Sequence, residues 1–120
     1  MNTSLKTLLL ATALTSVSAL ADDCALGDAP GLPNGASSSM DEMVAGQQSV
    51  KAFQADALAY RACLDEGMKA IESAAAEGDE DAADNFKIMT DAYNASVAIE
   101  EALANDFNAE IRAYKAANPS

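Results

Sequence analysis

No histidine occurs anywhere in the 120 residues. That absence removes imidazole catalysis and histidine-ligated haem or zinc, and with them the bundle cytochromes that an exported helical protein would otherwise suggest. Cations are scarce as well: seven Lys and Arg stand against 19 Asp and Glu, a net charge of −12. Such a surface repels phosphate backbones, which need Lys and Arg to neutralise them. It repels anionic lipid head groups for the same reason, so neither nucleic acid nor a membrane surface is an expected partner. The chain has no Gly-x-Ser-x-Gly elbow, no phosphate-binding glycine-rich loop and no Cys-x-x-Cys pair. Only paired carboxylates remain for hydrolytic chemistry, and polar helix faces produce these by chance. No enzyme, cofactor, catalytic residue or metal site is expected.

Long hydrophobic runs are missing except near the start, where residues 1–21 read as an export signal. Lys6 supplies a short positive region and Leu8 to Leu14 an apolar core. That core is too short for a permanent span, which needs about 20 apolar residues. Ala19-Leu20-Ala21 is a small-x-small cleavage site, so a mature chain of 99 residues is expected from Asp22; the alternative is an uncleaved anchor. Cys24 lies too far beyond the cleavage point for a lipoprotein. Losing Lys6 leaves six cations against 19 acids, a net −13. The expected product is soluble, periplasmic or secreted, with no membrane insertion after cleavage.

Two cysteines remain, Cys24 and Cys63. In an exported chain an even pair reads as a disulfide; a free or intermolecular pair is the alternative. Closing that loop stabilises the fold by roughly 4 kcal/mol in the chain-entropy description. Residues 22–38 hold two of the three prolines and three of the six glycines, with a turn signal at Pro33-Asn34-Gly35. They read as an irregular or extended arm. Spread at about 3.1 Å per residue, the 15 residues from Cys24 to Ser39 can double back far enough along a following helix to reach Cys63.

That helix starts at a capping box, Ser39 with Glu42 three residues on, and should run over about 40–76. Met43, Val50, Ala57, Leu64 and Ile71 recur every seven residues, each followed three later by Gly46, Phe53, Tyr60, Gly67 and Ala74. This is the seam of a helix packed along another helix. The seam glycines permit close backbone approach, or at Gly67 a kink that would give a three-helix variant. Gly78 suits a helix end and Asp79 a new N-cap, opening a second helix over about 80–116 with Pro119 beyond it. So short a connection makes the helices antiparallel neighbours. The expected fold is all-α: a long two-helix hairpin over 39–118 with an N-terminal arm tied to the first helix.

Two features exceed a simple pair. The second helix carries an additional stripe, Ile88, Ala92, Ala95, Ile99 and Ala102, in alternating steps of four and three. It widens the apolar arc beyond what one partner helix covers. The arm, a second copy or another protein must cover it, which makes the stripe a candidate interface. Glu100 stands near the centre of the apolar arc, where an unpaired carboxylate is costly. It reads as paired with Arg61 or Lys51 across the hairpin, or alternatively as a ligand or specificity contact. The cluster Asp79, Glu80, Asp81 and Asp84 lacks EF-hand spacing and reads as compensation of the helix dipole. Asn94-Ala95-Ser96 matches a glycosylation sequon but falls mid-helix.

One run carries a resemblance. Cys24, Pro30, Pro33-Asn34-Gly35-Ala36, Met40-Asp41-Glu42-Met43, Val50-Lys51-Ala52-Phe53, Tyr60 and Cys63-Leu64 resemble a group of short secreted proteins of Gram-negative bacteria. Their shared pattern is Cys, spaced prolines, Gly, Glu-Met, Val with an aromatic, then Tyr-x-x-Cys-Leu. The resemblance covers residues 22–64, under half of the mature chain, and implies the compartment and the disulfide but no activity. The expected function is that of a non-enzymatic periplasmic protein that self-associates or binds a protein partner. The alternative, motivated by charge, is a carboxylate-rich binder of cations or cationic ligands; no calorimetric heat with millimolar calcium or polyamine would end it.

Overall fold

A computed structural model describes residues 24–120; the expected export signal and its cleavage site lie outside the described residues. The chain forms two helices, α1 over Met40–Ala76 and α2 over Glu80–Ala117, packed on each other as a hairpin. At about 1.5 Å per residue each is roughly 55 Å long.

Local chemistry sets each boundary. The Ser39 hydroxyl accepts from the Glu42 amide at 3.2 Å, and the Glu42 carboxylate accepts from the Ser39 amide at 2.7 Å. This is the reciprocal box that satisfies two orphan donors of a helix start. At the other end of α1 the Asp79 amide donates to Ala74 O at 3.0 Å and the Gly78 amide to Ala75 O at 3.3 Å. Those two bonds make a Schellman ending, with Glu77 as the C-cap and Gly78 just past it at φ 96°. Asp79 then caps α2, its carboxylate accepting from the Ala82 amide at 3.1 Å. One short segment therefore stops one helix, reverses the chain and starts the next.

α1 runs unbroken through Gly67, which is buried and faces Met89. The glycine admits a neighbour rather than bending the helix, and the three-helix variant does not form. The core falls into two clusters. Near the open end Met43, Val50, Phe53 and Ala57 meet Leu103 and Phe107. Near the connection Leu64 and Ile71 meet Ala82 and Met89. These are the seam positions expected from the sevenfold spacing, although Tyr60 and Ala74 are only partly buried.

The arm lies over both clusters. Cys24 is bonded to Cys63 with 5.7 Å between Cα atoms. Cys24 packs against the connection-end cluster, while Leu26 and Leu32 pack against the open-end cluster. Asn34 closes the turn: its carbonyl accepts from Ser37 and Ser38, and its side chain from Ala36.

Candidate interaction face and central polar layer

Between the two apolar clusters lies a polar layer built on α1 and α2. Arg61 Nη2 sits 2.8 Å from Glu100 Oε2, with the two side chains 13% and 24% exposed. Arg61 Nη1 also donates to Ser96 Oγ at 3.4 Å, and its guanidinium stands over the Tyr93 ring at 5.9 Å from the centroid. Ser96 donates in turn to the Tyr93 carbonyl at 2.7 Å. Of the two partners expected for Glu100, the hairpin uses Arg61. The planar guanidinium explains the choice, since it can serve a carboxylate, a hydroxyl and a ring face together. No described buried side-chain nitrogen or oxygen lacks a hydrogen-bond partner. Ser96 is 1% exposed and its hydroxyl is committed inside the layer.

A second carboxylate reaches into the seam that the sequence reading did not single out. Glu110 accepts from the Gly35 amide at 2.7 Å, tying the base of the arm to the far end of α2. Gly35 is buried so close to the Glu110 backbone that a Cβ there would overlap the carbonyl. Pro33 fits the space left by Gly46 in the same way. Glu110 was detectable: Ala82, Met89, Ser96, Leu103 and Glu110 recur every seven residues, and four of the five are buried. Gly35 was legible only as part of a turn, because nothing in its sequence neighbourhood names Glu110.

Four of the five residues of the candidate stripe, Ile88, Ala95, Ile99 and Ala102, are exposed on the outer side of α2. Ile88 is 59% and Ile99 44% exposed. Ala95 and Ala102 are exposed, whereas Ala92 is partly buried against the connection-end cluster. Because the arm directs Leu26 and Leu32 into the core, it leaves the stripe open. The open end of the hairpin holds a further apolar groove of about 300 Å³, including Met40, Val44, Phe107 and Ile111.

The acidic start of α2 forms no ligand cage. Asp79 serves as a cap, Glu80, Asp81 and Asp84 are exposed, and no group of three or more potential metal ligands is gathered among the described residues. Nor is any helix among the described residues long and apolar enough to cross a membrane. No family model, curated protein or solved structure matches this chain.

Proposed function

We propose that this protein is a non-enzymatic helical module, periplasmic or secreted, that works by docking the outer face of α2 against another polypeptide chain. The observation that carries this reading is the exposure of Ile88 and Ile99, with Ala95 and Ala102 exposed beside them. A hairpin needs one apolar stripe per helix to close its own core, and α2 has two. Contiguous exposed apolar surface on a small exported protein is where interaction sites concentrate. Alanine on the same face lets a partner backbone come close. The polar layer favours a binding protein over an enzyme, because its serine is buried and its arginine is already engaged.

A photoreactive residue at Ala95 tests the reading in the exported protein. The expected result is a covalent adduct with a polypeptide of defined mass, absent when the same residue replaces exposed Asn108 on another face of α2. No adduct from Ala95, or equal labelling from both positions, would end the proposal.

A further inference from the structure

We infer that the apolar groove at the open end of the hairpin binds a free single-chain carboxylate amphiphile, its tail in the groove and its head on Lys115. The site is separate from the docking face proposed above, because no residue of the α2 stripe lines it. Its floor belongs to the open-end core, where Met43 and Phe107 are buried. Its rim does not. Met40 and Val44, in the first turns of α1, are 58% and 42% exposed, and Ile111 is added from α2. The arm packs Leu26 and Leu32 against the same cluster, yet no residue of the arm lines the groove. A trough with a core floor and bare apolar walls is stabilised by taking up further hydrocarbon.

Size, wall chemistry and charge define the occupant. A volume of about 300 Å³ lies at the small end of ligand pockets. From Met40 to Gln47 the groove follows α1 for about 10 Å, room for one acyl chain of modest length. Two of its walls are methionines, whose unbranched thioethers fit themselves to irregular hydrocarbon. Charge then selects the head group. Lys115 is the one charged residue lining the groove among the described residues, and it is a cation in a chain with 19 acids. It makes no ion pair among the described residues. Of the acids at this end, Glu42 and Glu110 accept from the Ser39 and Gly35 amides, and neither they nor Asp41 and Asp106 line the groove. A carboxylate head gains a charge-assisted hydrogen bond from the ammonium. A cationic head would be repelled by it, and an uncharged one would leave it unused.

Titration of the oxidised protein with decanoate, kept below its micellar range, tests the site by calorimetry and by methyl-carbon NMR. Saturable binding is expected, with shifts at Met40, Val44 and Ile111 and none at Ile88 and Ile99. From hexanoate through octanoate to decanoate the affinity should rise by up to about fourfold per methylene. Decyltrimethylammonium sharpens the test. A net charge of −12 acting alone would favour this cationic amphiphile, whereas the groove favours decanoate. Lys115→Glu should weaken decanoate binding about tenfold, and Val44→Asp should weaken it as well, both with helix content unchanged by circular dichroism. Absence of saturable binding at millimolar decanoate would overturn the inference. So would tighter binding of decyltrimethylammonium, shifts centred on Ile88 and Ile99, or a decanoate affinity indifferent to Lys115→Glu. None of these outcomes bears on the adduct expected from Ala95, so the docking reading stands or falls separately.

Discussion

At the residue scale the three seam and arm glycines separate cleanly by what each one touches. A Cβ at Gly35 would meet the backbone carbonyl of Glu110, and one at Gly46 the ring of Pro33. Neither neighbour can yield without moving the arm, so Gly35→Ala and Gly46→Ala should each cost about 1–3 kcal/mol by overpacking. Urea unfolding would measure the loss, and limited proteolysis within residues 25–33 should become faster. At Gly67 the neighbour is the tip of Met89, with Sδ at 3.0 Å. A thioether end swings aside at little cost, and alanine in a helix is favoured over glycine by up to about 1 kcal/mol. Gly67→Ala should therefore leave stability unchanged or raise it, and a clear loss in the same urea experiment would contradict this account. The Arg61–Glu100 pair makes a different prediction. Arg61→Met alone strands a largely buried carboxylate and should destabilise by about 2 kcal/mol, whereas Arg61→Met with Glu100→Leu should recover most of that loss. A double mutant no more stable than Arg61→Met would mean that the polar layer contributes beyond pairing. The sequence located Glu100 as an anomaly because its register is local information. It did not reveal Ser96 or Gly35, whose roles depend on which residue of the other element lies opposite.

At the scale of elements the reading from sequence was nearly complete, for a physical reason. Capping boxes, glycine stops and sevenfold spacing are all encoded within a few residues of where they act, and α1 and α2 end within a residue of where those signals placed them. The kink considered at Gly67 is the exception. A buried glycine has two uses, bending or admitting a neighbour, and only the opposing side chain decides between them. The connection offers a test at this scale. Gly78 has a positive φ that other residues adopt only with strain. Gly78→Ala should lower the melting temperature by an amount equivalent to about 1 kcal/mol, and so should Ser39→Ala at the start of α1. Surface pairing does less. Lys87 bonds to Asp91 at 2.6 Å, and that hydrogen bond first, the charge second, holds its ammonium above the ordinary value of 10.5. A raised lysine pKa gives a contribution that is fully present below the unfolded value and is lost only as pH rises through the folded one. The pair is exposed, and the lysine's part in it is lost only in alkali, well above neutral pH.

At the scale of the whole molecule, net charge and the arm dominate. A chain at −12 repels itself, and surface repulsion is screened within about 8–10 Å at moderate ionic strength. The melting temperature should therefore rise with added salt, in contrast to a fold held mainly by surface ion pairs; a falling melting temperature would contradict this. The arm makes the opposite kind of contribution, because no hydrogen bond joins residues 25–33 to either helix. It is kept in place by the disulfide, by Leu26 and Leu32, and by Gly35 at its base. Cys24→Ser with Cys63→Ser should destabilise the protein by roughly 4 kcal/mol, visible as a shift in the urea midpoint. That same anchoring fixes an order of assembly. The Gly35–Glu110 bond joins residues 75 apart, and its acceptor lies on the last turns of α2. The segment nearest the start of the described chain thus has no complete seat until the last helix has closed on the first. Contacts at such separation form late, because the loop they close must be ordered first. Cys24 and Cys63 need only α1 to approach each other, so oxidation can tether the arm early and hold it beside a groove that does not yet exist. The covalent bond would then shorten the search of the final docking step, and a stopped-flow comparison of oxidised and reduced protein should find that step slower when the thiols are free.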